Sequence, residues 1–194
     1  DGISWTLRTL PAITYWYNIC WSPELRLFCA VTFSNNKAAT SPDGITWTER
    51  TLPFIGYWYA ICWSPELRMF CTISCNSNKA ATSPDGITWT ERTLPFSSNW
   101  YSICWSPKLG IFCAVSSNTN KIIVSSDGIT WTERYLPPNQ NGVSICWSPE
   151  FEIFCCMDAA KRKVITSFDS ITWKSNDLSF GVPANNGYSP VCWA

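Results

Sequence analysis

The chain has 194 residues, of which 46% are hydrophobic and 15% aromatic, so it can bury a core and is not a disordered tail. Lys plus Arg and Asp plus Glu each number 14, so no net charge draws the protein to nucleic acid or an anionic membrane. The sequence contains no histidine, which excludes conventional catalytic triads and His-based metal sites.

No apolar run approaches the roughly 20 residues of a membrane-spanning helix, so we expect no membrane insertion. The chain starts at Asp1 without an initiating Met, and we expect a mature piece or a fragment of a longer protein. We expect an extracellular, cell-surface or virion-associated placement.

The sequence repeats with a period of 42 residues, marked by Asp1, Asp43, Asp85, Asp127 and Asp169. A strict period near this length indicates a solenoid or a propeller. The chain therefore divides into units 1–42, 43–84, 85–126 and 127–168, with a partial unit at 169–194. We expect residues 1–194 to form one propeller domain or part of one.

Four short strands are predicted in each period, and we name them a to d from the propeller axis outward. In one blade they are Tyr59–Trp63, Met69–Ser74, Lys79–Ser83 and Ile87–Leu94, separated by turn sequences and without helical periodicity. Four antiparallel strands of this length match one blade of an all-β propeller. The chain thus predicts four full blades plus a partial fifth, with a d strand at the N-terminus and an a strand at the C-terminus.

Residue types support a specific pairing of strands a and b. A turn centred on Glu66 and Leu67 places Cys62 opposite Cys71 and Trp63 opposite Phe70. Both faces of the hairpin are then largely apolar, as expected for a sheet packed between two others.

The stretch Ser83-Pro84-Asp85-Gly86-Ile87-Thr88-Trp89 resembles the Asp box of bacterial-neuraminidase-type (BNR) propeller repeats, with one residue fewer between Asp and Gly. We interpret it as a structural element. Asp-Gly is a strong two-residue hairpin signal, the carboxylate accepts backbone N–H bonds, and Trp covers the turn. The other copies are Asp1 to Trp5, Ser41 to Trp47, Ser125 to Trp131 and Ser167 to Trp173, with Ser170 in place of Gly in the last.

The resemblance implies a sialidase as one alternative, since enzymes of that group hold a substrate carboxylate with three arginines. Here most arginines occupy two repeated positions, one in the outer strand and one in the a–b turn, and no inner strand carries one. We therefore predict that the protein is not an enzyme and has no catalytic residues and no cofactor. The repeated arginines are Arg8, Arg50, Arg92 and Arg134 in the outer strand, and Arg26 and Arg68 in the turn.

Eleven cysteines include four pairs with eight residues between them. The predicted register places each pair across the a–b hairpin, which leaves cross-strand disulfides and buried thiols as alternatives; the odd total favours thiols. Ligands on separate blades would not converge, so we expect no metal site. The pairs are Cys20/Cys29, Cys62/Cys71, Cys104/Cys113 and Cys146/Cys155.

Sequence variation separates the two ends of the blades. The a–b turns and Asp-Gly turns form a nearly constant rim, whereas the b–c and d–a loops form a variable rim rich in aromatic residues, Asn and Lys. Aromatic faces beside amide and ammonium donors suit a glycan or a polar protein surface. The alternative is that the aromatics pack between blades and the loops are only turns. The candidate ligand-binding residues are Tyr15, Trp16, Asn36, Lys37, Tyr57, Trp58, Asn78, Lys79, Trp100, Asn120 and Lys121.

The sequence therefore predicts a non-enzymatic recognition or adhesion module, lectin-like in its ligand. A structural scaffold, such as a virion or surface component, is the first alternative and a sialidase-like glycosidase the second. Self-association through the incomplete fifth blade is a further expectation.

Overall fold

The structure is a computed structural model that describes residues 4–158 and 163–177. Its described part contains strands and no helix, so it offers no helix that could cross a membrane. The strands are β1 Tyr15–Ser22, β2 Leu27–Phe33, β3 Asn35–Ser41, β4 Thr48–Ser64, β5 Met69–Cys75, β6 Ser77–Ser83, β7 Thr90–Ser98, β8 Trp100–Ser106, β9 Ile111–Ser116, β10 Lys121–Ser125, β11 Thr132–Tyr135, β12 Ser144–Ser148, β13 Ile153–Asp158, β14 Lys163–Ser167 and β15 Lys174–Asp177.

These strands form four antiparallel blades of four strands each, as the repeat predicts. Blade 1 contains β1, β2, β3 and the first part of β4, and blade 2 contains the second part of β4 with β5, β6 and β7. Blades 3 and 4 are β8 to β11 and β12 to β15. The 17-residue strand β4 is the outer strand of blade 1 and continues as the inner strand of blade 2. The inner strands of successive blades lie beside one another.

The predicted register of the inner hairpin is confirmed. Cys62 lies opposite Cys71, Trp63 opposite Phe70 and Ile61 opposite Thr72. The register is the same in the other blades, so each of the four cysteine pairs is a cross-strand pair. The described cysteines are free thiols. Burial raises the pKa of the Cys20 thiol to about 12, so this thiol stays protonated at neutral pH.

Apolar side chains fill the interfaces between adjacent blades, which are called the first, second and third joint in chain order. At the first joint, one face of blade 1 meets the opposite face of blade 2, and the same arrangement recurs at the next two joints. Burial of such aromatic and branched side chains contributes about 1.5–3 kcal/mol each, so the joints supply much of the stability. The first joint packs Cys29, Val31, Ala38 and Leu52 against Ile61, Trp63, Phe70 and Ala81.

At the constant rim, an equivalent hydrogen bond links blade 1 to blade 2 and blade 2 to blade 3. The indole Nε1 of Trp63 in blade 2 donates to Glu24 Oε2 in the a–b turn of blade 1 at 2.6 Å. Trp105 of blade 3 donates to Glu66 of blade 2 at the same distance, 2.6 Å. A charge-assisted bond of this length is stronger than a neutral one, so the sequence motif Ser-Pro-Glu-Leu is part of the joint.

The constant Ser-Pro-Asp-Gly stretch forms the turn between strands c and d. Asp43 Oδ1 accepts hydrogen bonds from the backbone N–H groups of Ile45 and Thr46, both at 2.8 Å, and from Ser41 Oγ at 3.0 Å. Gly44 has a φ of 72°, which glycine adopts without strain. Each blade repeats this turn. The connection spans residues 42–47, so the prediction of a two-residue hairpin is wrong, because the carboxylate closes a longer turn than Asp-Gly alone.

Acid is expected to destabilise the protein through these four turns. Backbone hydrogen bonds lower the pKa of Asp43 and Asp169; at Asp85 and Asp127 burial opposes the shift, but the same bonds outweigh it. Because the folded pKa values lie below the unfolded value of about 3.9, the stabilisation is complete above that pH and is lost as pH falls through the folded values. Urea unfolding should therefore show a lower midpoint at pH 3 than at pH 6.

The matched variant for this experiment is Asp127→Asn, which keeps an acceptor in the turn and removes its titration. The variant should lose less stability on acidification than the unchanged protein. Equal midpoints at both pH values would contradict the role of the carboxylates.

The predicted outer strand at the N-terminus is not observed. Residues 4–10 form no strand, since no described strand c lies beside them to provide hydrogen bonds, and Trp5 is 88% exposed. The predicted inner strand at the C-terminus, Ser189–Ala194, lies outside the described residues. In blade 1, Ile19 and Trp21 are exposed, whereas Ile61 and Trp63 are buried, because no described blade covers that face of blade 1.

Candidate functional site

A row of three tyrosines runs across the inner strands at the variable rim. Tyr17, Tyr59 and Tyr101 are each skipped by the strand pairing: Trp16 pairs with Thr32 and Asn18 with Val31, and the same break recurs at the other two. Each tyrosine is thus the extra residue of a β-bulge. A bulge turns its side chain away from the regular alternation of the strand, and it places these rings side by side.

The rings of this tyrosine row touch one another. The centroids of Tyr17 and Tyr59 lie 4.4 Å apart, and those of Tyr59 and Tyr101 lie 4.8 Å apart. Phe33 and Tyr57 extend the row, with Phe33 5.0 Å from Tyr57 and 5.4 Å from Tyr59. Tyr17 is 49% exposed and Tyr57 is 44% exposed, so the cluster presents aromatic surface to solvent.

The hydroxyl group of Tyr59, in the middle of the row, is neutral at physiological pH. Burial raises the pKa of Tyr59, and the neighbouring Tyr101 raises it further. A neutral phenol donates and accepts hydrogen bonds but does not act as a base. The row therefore offers flat apolar faces edged by hydroxyl groups.

A cleft of about 450 Å³ opens beside Tyr57, between the loops of blades 1 and 2. A Cβ at Gly56 would lie 2.8 Å from Ser74 Oγ and 3.0 Å from Phe54 Cε2, so a larger residue there would push these side chains aside. The described lining includes one cation and no carboxylate, which suits stacking and hydrogen bonding rather than acid–base chemistry. Its lining combines polar and apolar groups, among them Ser34, Ile55, Tyr57, Asn76, Ser77 and Lys79.

Two of the predicted aromatic contacts are corrected by the structure. Trp58 and Trp100 are 0% exposed and pack in the blade joints, so the expectation that they face a ligand is wrong. They neighbour the bulged tyrosines and point into the core. Trp16 is half-buried and donates to the Ala12 carbonyl at 3.2 Å, while Tyr15 is exposed.

The predicted lysines are engaged within their own blades. Lys79 Nζ lies 2.8 Å from Glu91 Oε1. The same ammonium group lies 4.7 Å from the ring centre of Phe54 in the preceding blade. Lys121 repeats both contacts, with Glu133 and Phe96, and Lys37 pairs with Glu49. The register of strands c and d places Lys37, Lys79 and Lys121 opposite Thr51, Thr93 and Tyr135, so each ion pair reaches diagonally to the acidic residue two positions earlier on strand d. Only Lys79 lines the cleft together with Tyr57.

The predicted asparagines lie at or just before the start of strand c. Asn120 Nδ2 donates to the Leu136 carbonyl at 3.2 Å, so this amide holds a loop. Asn36 and Asn78 are half-buried at the start of strand c. Asn76 lies in the cleft wall with a φ of 54°, in the tight turn between β5 and β6.

Sequence reasoning missed the tyrosine row and Phe33. A signal was present, because Tyr17, Tyr59 and Tyr101 stand 42 residues apart and follow Trp in each copy. Strict alternation along a strand puts the Trp and Tyr on opposite faces but does not say which faces the solvent. The described residues contain no cluster of Cys, Asp or Glu that could hold a metal ion.

No protein-family model and no curated protein matches the chain. Solved structures do match it, among them a virginiamycin B lyase from Staphylococcus aureus with a TM-score of 0.74 and 17% identity, over 84% of this chain and 55% of that chain. YCF48 bound to D1 peptide matches with a TM-score of 0.67 and 13% identity, over 89% of this chain and 56% of that chain. A nidogen/laminin complex matches with a TM-score of 0.70 and 12% identity, over 84% of this chain and 65% of that chain. These are β-propeller proteins, so the predicted propeller is confirmed. The chain spans less than two thirds of the length of each of these three structures.

The comparisons correct the prediction that the protein is not an enzyme. A lyase is among the solved structures with this fold, so the fold does not exclude catalysis. The absence of histidine still excludes chemistry that depends on histidine in this chain. The matched propellers include a lyase and proteins seen with a peptide or protein partner.

Proposed function

We propose that the protein is a recognition module that binds its ligand on the variable rim, at the tyrosine row and the adjoining cleft. The observation that carries this proposal is the exposed aromatic surface formed by Tyr17, Phe33, Tyr57, Tyr59 and Tyr101. Three of these rings occupy β-bulges, a feature that commonly re-aims side chains at binding sites.

A carbohydrate fits this surface best. The C–H face of a sugar stacks on aromatic rings while its hydroxyl groups bond to phenol, serine and amide groups, all of which border the cleft. The row carries no charged side chain, and the one cation of the described cleft lining, Lys79, is paired with Glu91, which favours a neutral sugar over a phosphate. The lectin-like assignment therefore rests on the chemistry of the rim. Assignment of the repeats to the Asp-box type is part of the same proposal and is supported by the recurring Ser-Asp turn.

An extended protein segment is the second candidate ligand. YCF48 is seen with a D1 peptide and nidogen with laminin, on propellers of similar fold. A row of touching tyrosines can also bind the flat rings of a proline-rich segment. The two candidates are distinguished by the class of ligand, glycan or peptide, that the purified protein binds.

Replacement of Tyr17 or Tyr57 by alanine is expected to weaken glycan binding at least about tenfold, since buried aromatic contacts dominate such sites. Both side chains are partly exposed, so the urea unfolding midpoint should change little. Binding is measured first on a glycan array and then by titration calorimetry with the best glycan.

The matched control is Tyr135→Ala, which removes an exposed tyrosine from the outer strand of blade 3. This variant should bind like the unchanged protein. If folded protein binds no glycan, or if Tyr135→Ala weakens binding as much as Tyr17→Ala, the lectin-like proposal is wrong; retention of a peptide would support the second candidate.

A further inference from the structure

The hydrogen bond between blades breaks its repeat at the third joint. Glu24 and Glu66 accept from the indoles of Trp63 and Trp105 at 2.6 Å in the first two joints. At the third joint the equivalent acceptor position is occupied by Lys108, and a lysine ammonium cannot accept a hydrogen bond. The indole of blade 4 that should donate there is Trp147.

Trp147 is buried, and its Nε1 is enclosed without a hydrogen-bond acceptor among the described residues. Leaving such a donor unpaired is costly, so an acceptor at this place would be bound favourably. Trp58 and Trp131 also lack an acceptor in the described part. Their equivalents Trp100 and Trp89 donate to backbone carbonyls, which every blade retains, whereas Trp147 lacks its partner because a side chain was replaced.

Lys108 carries a positive charge at the repeat position that Glu24 and Glu66 hold in the first two joints. Its Nζ lies 3.0 Å from Glu152 Oε1, and the two side chains are 56% and 53% exposed. An exposed pair of this kind contributes little and exchanges readily with solvent and dissolved ions. The long lysine side chain can therefore turn from Glu152 to an anion beside the indole.

We propose that the third joint binds a carboxylate group of a ligand, which replaces the missing glutamate, accepts the Trp147 N–H bond and pairs with Lys108. The first two joints already show this arrangement, because a glutamate carboxylate accepts the indole N–H bond at the same position in each of them. The site lies on the constant rim, away from the tyrosine row, and is independent of the proposed glycan binding. A free C-terminus and an acidic side chain are the two sources of such a group.

The test follows the indole N–H resonances of the ¹⁵N-labelled protein during titration with sodium acetate at constant ionic strength, with sodium chloride as the reference. We expect a saturable downfield shift of the Trp147 resonance, half complete at roughly 10–100 mM for one such bond and one exposed ion pair. The Trp63 and Trp105 resonances should not move, since their acceptors are in place.

The matched variant is Lys108→Glu, which restores the residue of the first two joints. Its Trp147 resonance should already lie at the acetate-saturated position and should not respond to acetate. The unchanged Trp63 and Trp105 resonances report that the variant is folded. A response of Trp147 in the original protein that never saturates, or an equal response in Lys108→Glu, overturns the proposal.

Two peptides identify the source of the carboxylate. Acetyl-triglycine with a free C-terminus and acetyl-Gly-Glu-Gly-amide present one carboxylate each, from the main chain and from a side chain. Whichever shifts the Trp147 resonance at the lower concentration is the preferred source. If neither peptide shifts the Trp147 resonance or competes with acetate, the joint does not admit the carboxylate of a larger ligand and the proposal is wrong.

Discussion

Replacement of Trp100 by alanine is expected to lower the free energy of unfolding by about 3–5 kcal/mol, the range for deletion of a buried indole. Trp100 is 0% exposed and lies in the core cluster between blades 2 and 3. Its Nε1 donates to the Ser77 carbonyl at 3.1 Å, so the variant also leaves that carbonyl without this donor. The expected loss of stability exceeds that of a surface substitution, because removal of the indole leaves a cavity between two packed sheets.

Urea unfolding measures this loss, with Trp5→Ala as the matched control. Trp5 is 88% exposed, so the same substitution there should change stability by less than about 0.5 kcal/mol. Similar midpoint changes in the two variants would show that Trp100 is not a joint residue.

The second large effect is expected for Glu66→Ala, which removes the acceptor of the Trp105 indole at 2.6 Å. Bonds to charged groups contribute about 1.5–3 kcal/mol, and the buried donor would then be left unpaired. We therefore expect the free energy of unfolding to fall by about 2 kcal/mol. Glu66→Gln, which retains a neutral acceptor, should lose about half as much.

Lys108→Ala is the control at the same repeat position. Lys108 has only the exposed pair with Glu152, which contributes at most about 1 kcal/mol. A loss in Lys108→Ala equal to that in Glu66→Ala would contradict the role of the Trp–Glu bond. The contrast also tests the premise that the third joint differs from the first two.

The register of each hairpin followed from the sequence because side chains along a strand alternate with a period of two. Once the turn is placed at Glu66 and Leu67, counting outward along both strands pairs Cys62 with Cys71 and determines the register of the whole hairpin. The Asp turn was predictable for a similar reason, since its hydrogen bonds join atoms at most three residues apart. Its length was not, because the carboxylate and the Ser41 hydroxyl close a turn that a two-residue hairpin does not describe.

The candidate site was only partly predictable. The variable rim was identified from the differences between copies, and Tyr57 and Lys79 do line its cleft. Trp58 and Trp100 were misplaced because they were assigned to the d–a loops, whereas both lie in strands that pack between neighbouring blades. How far a strand extends into such a connection depends on where the partner strand ends its pairing, and the sequence of one strand does not contain that information.

By itself, the sequence determined the repeat, the four-stranded antiparallel blade and the Asp turns, since these depend on alternation and on contacts within a few residues. Only the tertiary structure decided which aromatic residues face solvent, which indole bonds to which glutamate and where an acceptor is missing. Those features join residues about 40 positions apart, such as Trp105 and Glu66, and they arise only when one blade packs against the next.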